Sequence, residues 1–348
     1  MIRLRVPVLV CLALVVGLAA DTIADAPPSA KARRRRRPKV AAPRMPALPA
    51  MVTPASASQR DLEVGEACRR GLGNTSGAVV AMDPYTGRVM ALVNPKRGMA
   101  TAYQPCSVFK IVVAVAGLTE GIITPETTYN CTGGCWLWPG HGIVDLRRAI
   151  AQSCNPYFER VGERLGYERL HRYAELLGLG NLSGINLDGE ATGRVPASVR
   201  PSQVGHLSSH AAGIATSAVQ LGVLLSATIN GGILFQPQVS GPDGFEAHER
   251  WRLPPGTVLD GLSDGFVSAV NEGSASSAFD PDVIVGGKTG TCSGVGWFAS
   301  YAPADRPEVV IVVFVNPGSG HLASSVAGRI YQNLYKPAAP AFSVGGGK

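Results

Sequence analysis

The chain has 348 residues, 45% hydrophobic and only 16% charged, which is enough apolar material for one large core or two ordinary ones. Its formal charge of +7 suggests a nucleic-acid or membrane partner until the charges are placed. Residues 1–60 carry eleven basic and two acidic side chains, +9 in all, which leaves −2 for the rest, and that near-neutral remainder excludes a basic nucleic-acid-binding domain.

In chain order, MIRLR is a basic start and VPVLVCLALVVGLAA is a run of 15 mostly apolar residues. Residues 1–20 therefore read as a secretory signal peptide, with small residues near Ala19–Ala20 for cleavage. The run is short for a membrane span, which needs about 20 residues, and a retained anchor is the alternative. No second run of spanning length follows. The protein is expected to be exported, periplasmic or at the cell surface, and held at the inner membrane if the segment is retained. Residues 21–58 are rich in Pro, Ala and Arg without apolar periodicity, and read as a disordered linker. The run Arg33–Arg37 is first of all a solvated charge block. Its sharper use is attraction to an anionic membrane or cell-wall polymer.

From residue 59 the pattern becomes regular. QRDLEVGEACRRGL has helical spacing through Leu62, Ala67 and Leu72. GAVVAM and RVMALV flank the turn Asp83-Pro-Tyr-Thr-Gly, so they form a hairpin. YQPCSVFKIVVAVAG, residues 103–117, reads as a helix. Further helices are expected at 144–152, 154–165, 167–178 and 216–230. DVIVGGKTGTC, GWFASYAP and PEVVIVVFVN return to strands, and HLASSVAGRIYQNLY is a last amphipathic helix before a flexible tail at 337–348. Strands segregated from helices imply an α+β fold, with an antiparallel five-stranded sheet flanked by helices and an all-helical lobe. N- and C-terminal strands share the sheet, so a single domain spans 59–336.

Six cysteines lie beyond the signal. In an exported protein the close pair Cys131 and Cys135 is expected to form a disulfide. A zinc site with His141 is disfavoured because no fourth ligand of suitable spacing appears. Cys68, Cys106, Cys154 and Cys292 can pair in three ways or stay reduced, which the sequence does not decide; for Cys106, Cys154 and Cys292, each beside a motif, small buried thiols are the simpler expectation.

Three short motifs could carry chemistry. Ser107-Val-Phe-Lys110 puts a hydroxyl and an amine three residues apart on one helical face, in an otherwise apolar segment. Taken singly, it is an ordinary lysine reaching for solvent from a core helix. Ser153-Cys-Asn155 lies between two helices, and by itself is what a helix start wants. Lys288-Thr-Gly-Thr291 puts glycine into a strand, which signals either a bulge or a close approach to the backbone. A serine hydroxyl needs a neighbour to take its proton. A lysine kept neutral by burial can do that, and if the fold brings the two motifs together, as the resemblance described next implies, a second cation, Lys288, would lower its pKa further.

Together and in this order, S-x-x-K, S-x-N and K-T-G resemble the set shared by penicillin-binding proteins and class A β-lactamases. The resemblance runs from about Gln59 to Leu334 and includes DPYTGRVMALV, GHGIVDLRRAIAQSCNPYF, GINLDGEATGRVP, GIATSAVQL and GGKTGT. It is nearest to the transpeptidase domain of class B penicillin-binding proteins. It implies a peptidoglycan D,D-transpeptidase or serine-type D-Ala-D-Ala carboxypeptidase that forms an acyl-enzyme on Ser107 and binds β-lactams there. Lys110 is then the base and Ser153 a proton relay. Asn155 binds the substrate carbonyl. Lys288, Thr289 and Thr291 hold the terminal carboxylate, and Gly290 leaves it room. The backbone N–H groups of Ser107 and Thr291 form an oxyanion hole. Peptidoglycan stem peptides and β-lactam antibiotics are the expected partners, with no cofactor, no metal and no nucleic acid.

The runner-up is a serine β-lactamase, and a third reading is a non-catalytic β-lactam or peptidoglycan sensor. No omega-loop glutamate of the class A kind is evident, and Asn155 departs from the S-x-V usual in class D. Glu190, in LDGEATGRVP, resembles a structural element and not a deacylating base. His141 is expected to be structural. Trp136 and Trp138 either line a groove or pack under a loop. Class B proteins carry a large domain ahead of the transpeptidase, whereas here a linker of about 30 residues takes its place.

Overall fold

The computed structural model describes residues 49–241 and 244–336. The expected signal segment 1–20, the Arg33–Arg37 run and the tail 337–348 lie outside the described residues. The elements follow in chain order: β1 Met51–Val52, α1 Gln59–Leu72, β2 Gly77–Met82, β3 Val89–Val93 and the short α2 Pro95–Gly98. Next come α3 Lys110–Thr119, β4 Tyr129–Cys131, β5 Gly142–Val144, α4 Leu146–Ala151, α5 Asn155–Leu165, α6 Tyr167–Leu176, α7 Val204–His210 and α8 Ala218–Ile229. The chain continues with β6 Ile233–Phe235, β7 Glu249–Arg252, α9 Leu262–Asn271, β8 Gly286–Cys292, β9 Val295–Ala302, β10 Val309–Val315 and α10 Gly320–Tyr335.

The main sheet is antiparallel in the order β1-β3-β2-β10-β9-β8, so the N-terminal hairpin and the C-terminal strands join as expected. It has six strands where five are expected. The extra one is β1, whose Met51 and Val52 sit opposite Val93 and Leu92. Ordered structure therefore starts ahead of residue 59: Asn94 N–H donates to Ala50 O (2.8 Å) and Ala55 N–H to Ser240 O (2.9 Å). A two-residue strand held by main-chain bonds leaves no side-chain period to read.

The strands are apolar without alternation because helices cover both faces. Successive residues face opposite sides. Val80, Met82, Val310, Val312 and Phe314 enter the core shared with the helical lobe. Val79, Ala81, Ile311, Val313 and Val315 enter a second core under α1 and α10. On α1, Val64, Ala67, Cys68 and Leu72 are buried, while Leu62 is exposed.

The start of α1 is tied to the β2–β3 hairpin by a buried carboxylate. Ser58 N–H donates to Asp61 Oδ2 (2.7 Å) and Asp61 N–H to Ser58 Oγ (3.1 Å), a reciprocal capping box. Arg88 adds a forked ion pair, with Nε 3.1 Å from Oδ1 and the second guanidinium nitrogen on Oδ2. Burial pushes the Asp61 carboxyl up, but the bonds from Arg88 and Ser58 outweigh it and hold it below the usual carboxylate value. Asp61→Ala leaves Arg88 half-paired at a mostly buried site and is expected to cost about 3 kcal/mol in urea unfolding. A loss below about 1 kcal/mol would show that this pair does not anchor α1.

Candidate active site

The segment around Ser107 is not one continuous helix. After Pro105, residues Cys106–Phe109 form a tight 3-10 turn, and α3 begins at Lys110. Cys106 adopts a left-handed φ of 55°, a costly conformation for a residue with a Cβ. The Ser107 hydroxyl meets Ser209 O at 3.5 Å. Lys110 is 1% exposed, and its snorkelling is ruled out. Its Nζ donates to Ser153 O (2.7 Å) and Asn155 Oδ1 (2.6 Å) and lies 3.2 Å from Ser153 Oγ.

The second motif is positioned by the turn between α4 and α5. Ser153 has a φ of 52°, which turns the chain so that its carbonyl and its hydroxyl both face Lys110. Asn155 opens α5 with Pro156 in the first turn. The expected helix start is therefore present, and it carries the Lys110 contacts as well.

Burial lowers the Lys110 amine to about 7, against a smaller opposing pull from Cys154, Cys135, Glu159 and Cys131. Burial also raises the Cys154 thiol, which keeps it protonated near neutral pH and removes its share of that pull. A neutral amine has two hydrogens and one lone pair. The hydrogens go to the two oxygens that can only accept, Ser153 O and Asn155 Oδ1, so the lone pair faces the Ser153 hydroxyl. Lys288 is wholly buried and is itself pushed well below the ordinary lysine value, first by burial and then by Lys110. Lys288 was expected to depress Lys110. The resolved influence runs the other way, and desolvation accounts for Lys110.

The third motif lies on β8, the terminal strand of the sheet, and its register with β9 is unbroken from Gly286 to Cys292. The glycines therefore mark close approach and not a bulge. A Cβ on Gly290 would meet Pro105 O at 2.6 Å, so the space it leaves is taken by the turn that carries Ser107. Gly290 is buried, so the expectation that it leaves room for a carboxylate is replaced by this packing role. Lys288 Nζ donates to Thr289 O (3.0 Å), and Thr291 Oγ1 accepts from Gly320 N–H (2.7 Å).

Ser107, Ser153, Asn155, Thr289 and Thr291 all line one cavity of about 540 Å³. Lys110 and Lys288 sit behind its wall. Among the lining residues not singled out from the sequence are His210, at the end of α7, Ser274, whose hydroxyl is 2.7 Å from Thr289 Oγ1, and His321. Their only sequence signal is position: SSH stands just before GIATSAVQL, and Ser274 follows α9. Trp136 lines the cavity, and Trp138 is 86% exposed. Glu190 accepts from the backbone N–H groups of Ser183 (2.7 Å) and Gly184 (3.0 Å), which is the expected structural role.

The cysteines depart from expectation. Cys131 and Cys135 are not bonded to each other. The disulfide joins Cys106 to Cys292, with Cα atoms 5.7 Å apart across 186 residues of sequence. It links the turn before Ser107 to the residue after Thr291, a pairing that only the packing of β8 on that turn creates. The sulfurs of Cys131 and Cys135 instead lie 3.3 and 3.4 Å from His141 Nδ1. Cys154 supplies the fourth donor that the sequence spacing did not reveal: the four ligand atoms lie within 4.8 Å of one another. Three thiols and an imidazole are donors that zinc accepts. His141 is buried, and its Nε2 has no partner among the described residues. Peptide mapping without reductant is expected to recover Cys106 and Cys292 in one linked species. A Cys131–Cys135 link in its place would contradict this arrangement.

An antiparallel sheet with a helical lobe, and a serine, a buried lysine and an asparagine at their seam, form an arrangement suited to serine–lysine acyl transfer. The sequence profile of the penicillin binding protein transpeptidase domain matches residues 77–336. The chain belongs to that family. Stage V sporulation protein D of Bacillus subtilis is 30% identical over 317 residues, covering 76% of this chain and 49% of the relative. Peptidoglycan D,D-transpeptidase MrdA of Haemophilus influenzae is 26% identical over 348 residues, covering 76% and 53%. The chain thus spans about half the length of the curated relatives it matches. Penicillin-binding protein A of M. tuberculosis, solved as an imipenem acyl-enzyme complex, superposes with a TM-score of 0.68 at 23% identity, over 80% of this chain and 79% of that one.

Proposed function

We propose that this protein is a penicillin-binding serine acyltransferase acting on D-Ala-D-Ala stem peptides of peptidoglycan, as a D,D-transpeptidase or D,D-carboxypeptidase. The observation that carries the reading is the Lys110 amine, buried, brought to about 7 and fixed by Ser153 and Asn155 behind the cavity that Ser107 lines. A lysine in that state is a base at neutral pH. Relatives named as peptidoglycan D,D-transpeptidases support the substrate, and the imipenem acyl-enzyme of a structural neighbour supports β-lactam binding.

In this reading Ser107 attacks the D-Ala-D-Ala carbonyl. Its hydroxyl turns from the Ser209 carbonyl as the substrate enters, and its proton reaches Lys110 through Ser153, which lines the cavity and faces the lone pair: Ser153 gives its own hydrogen to Lys110 and takes the one from Ser107. The relay then reverses: Ser153 gives its hydrogen to the departing D-alanine amine and takes one back from Lys110. Asn155 donates its amide to the substrate, and Thr289 and Thr291, which line the cavity, set the terminal carboxylate, with the buried Lys288 behind them bonded to Thr289 O. An extended peptide adds to β8, which ends the sheet. The N–H groups of Ser107 and Thr291, whose sequence neighbours are cross-linked by the disulfide, receive the oxyanion. An amine or water then releases the acyl group. Glu190 is occupied with backbone amides, which speaks against its use as a lactamase base. The disulfide suits an oxidising, extracytoplasmic compartment. No helix among the described residues is long and apolar enough to cross a membrane. Attachment through residues 1–20 and attraction of Arg33–Arg37 to anionic lipid or wall polymer remain part of the proposal.

Fluorescent penicillin tests this. Persistent one-to-one labelling that Ser107→Ala abolishes is expected, and rapid turnover of the label would identify a lactamase instead. Lys110→Ala is expected to slow labelling at least about 100-fold with unchanged melting; labelling at the wild-type rate would remove Lys110 as the base.

The base must be neutral, so protonation inactivates it. The wild-type acylation rate should therefore climb with pH through about 7 and level off above it. A rate that is flat from pH 5 to 8 would contradict the lowered lysine. D-alanine release from a pentapeptide, with and without an acceptor amine, separates transpeptidase from carboxypeptidase, and no release would leave a sensor.

A further inference from the structure

His210 lines the same cavity as Ser107 and belongs to none of the three motifs. It ends α7, where Ala211 takes a left-handed φ of 58° and Gln104 Nε2 donates to His210 O at 2.7 Å. The backbone is thus held, and the ring is tied at both nitrogens. Nδ1 is 2.6 Å from Ser209 Oγ, which is itself 2.8 Å from Glu159 Oε1. Nε2 is 3.4 Å from Asn155 Nδ2, and Asn155 Oδ1 accepts from Lys110 at 2.6 Å. Asn155 and Glu159 are four residues apart on α5 and share a face. The bonds therefore close a ring in which α5 supplies both ends and α7 supplies Ser209 and His210 between them.

Proton counting fixes the direction of every bond. Glu159 Oε1 and His206 O (3.2 Å from Ser209 Oγ) only accept, so the single Ser209 hydrogen goes to them, chiefly to the nearer Glu159, and not to His210. Ser209 Oγ then accepts from His210, which places the ring proton on Nδ1. Nε2 is left with its lone pair, facing an Asn155 nitrogen that can only donate. That bond holds the amide with Oδ1 toward Lys110. We propose that His210 is a positioning residue of the acyl-transfer site, which fixes the Asn155 amide through Nε2 in the Glu159–Ser209–His210 clamp. The inference rests on the functional reading above. Protonated His210 would set two donors against each other, so the amide would turn and break its bond to Lys110. The charged and titratable groups facing the ring are His206 on its own helix, Lys110 from α3 and Glu159 from α5. Burial, then His206 and Lys110, lower its proton affinity, and Glu159 opposes them, so the clamp is intact at neutral pH.

The test is the acylation rate of the whole chain with fluorescent penicillin from pH 5 to 8, for the wild type, His210→Ala and His210→Gln. Glutamine offers an accepting oxygen and does not titrate. His210→Ala should slow acylation about 10-fold at pH 7.5 with unchanged melting, and His210→Gln should recover to within about 3-fold of wild type. Toward the acid end of the range the wild-type log rate should fall more steeply than a slope of one, because His210 and Lys110 then titrate together. His210→Gln should fall with a slope of one. Alanine acylating at the wild-type rate, glutamine no better than alanine, or equal slopes would each overturn the proposal. Nitrogen-15 NMR of labelled histidine should find His210 in the Nδ1–H tautomer, and an Nε2–H tautomer would overturn it independently. If the wild type takes no label, the acyl-transfer reading falls and the positioning role with it, while an Nδ1–H tautomer in the same sample still supports the clamp.

Discussion

The rest of the site depends on keeping the Lys110 amine out of water. An ammonium inside the apolar core between sheet and helical lobe would be costly, and the group responds by losing its proton near neutral pH. A neutral amine there still needs partners, and the Ser153 carbonyl and the Asn155 amide supply them. The left-handed turn at Ser153 is what brings both to one amine. A residue with a Cβ held in that conformation costs about 1–3 kcal/mol, which the surrounding packing must offset.

The sheet acts as the rigid member against which this arrangement is set. Its strands are covered on both faces, by the lobe on one side and by α1 and α10 on the other. Only β8, at one end, borders the cavity. Gly290 lets β8 close on the 3-10 turn, and the Cys106–Cys292 bond ties the same two segments covalently. Two independent constraints thus fix the distance between the Ser107 turn and the strand that borders the cavity. On the opposite side, the α5–α7 ring of hydrogen bonds orients Asn155.

Most of the architecture was legible from side-chain pattern. The helices around the second motif left the period of 3.6 that one-sided burial imposes, whereas the hairpin and the three C-terminal strands, covered on both faces, showed as short β-branched, apolar runs bounded by turn residues. β1 was not legible, because two residues paired through main-chain atoms carry no such period. The break between the 3-10 turn and α3 was hidden too, since both read as one apolar run. Gly287 and Gly290 announced a close approach, but what approaches Gly290 is the Ser107 turn.

The sequence by itself determined which chemistry is present. The order S-x-x-K, S-x-N, K-T-G within a matching context identified the family, because those residue types carry their roles wherever the fold brings them. Only the tertiary structure decided the partners. Cys106 finds Cys292 across 186 residues, Cys154 joins Cys131, Cys135 and His141, and His210 reaches Asn155 from another helix. Spacing along a chain constrains neighbours within one element. It says nothing about which elements will face one another, and every one of these pairings lies across such a face.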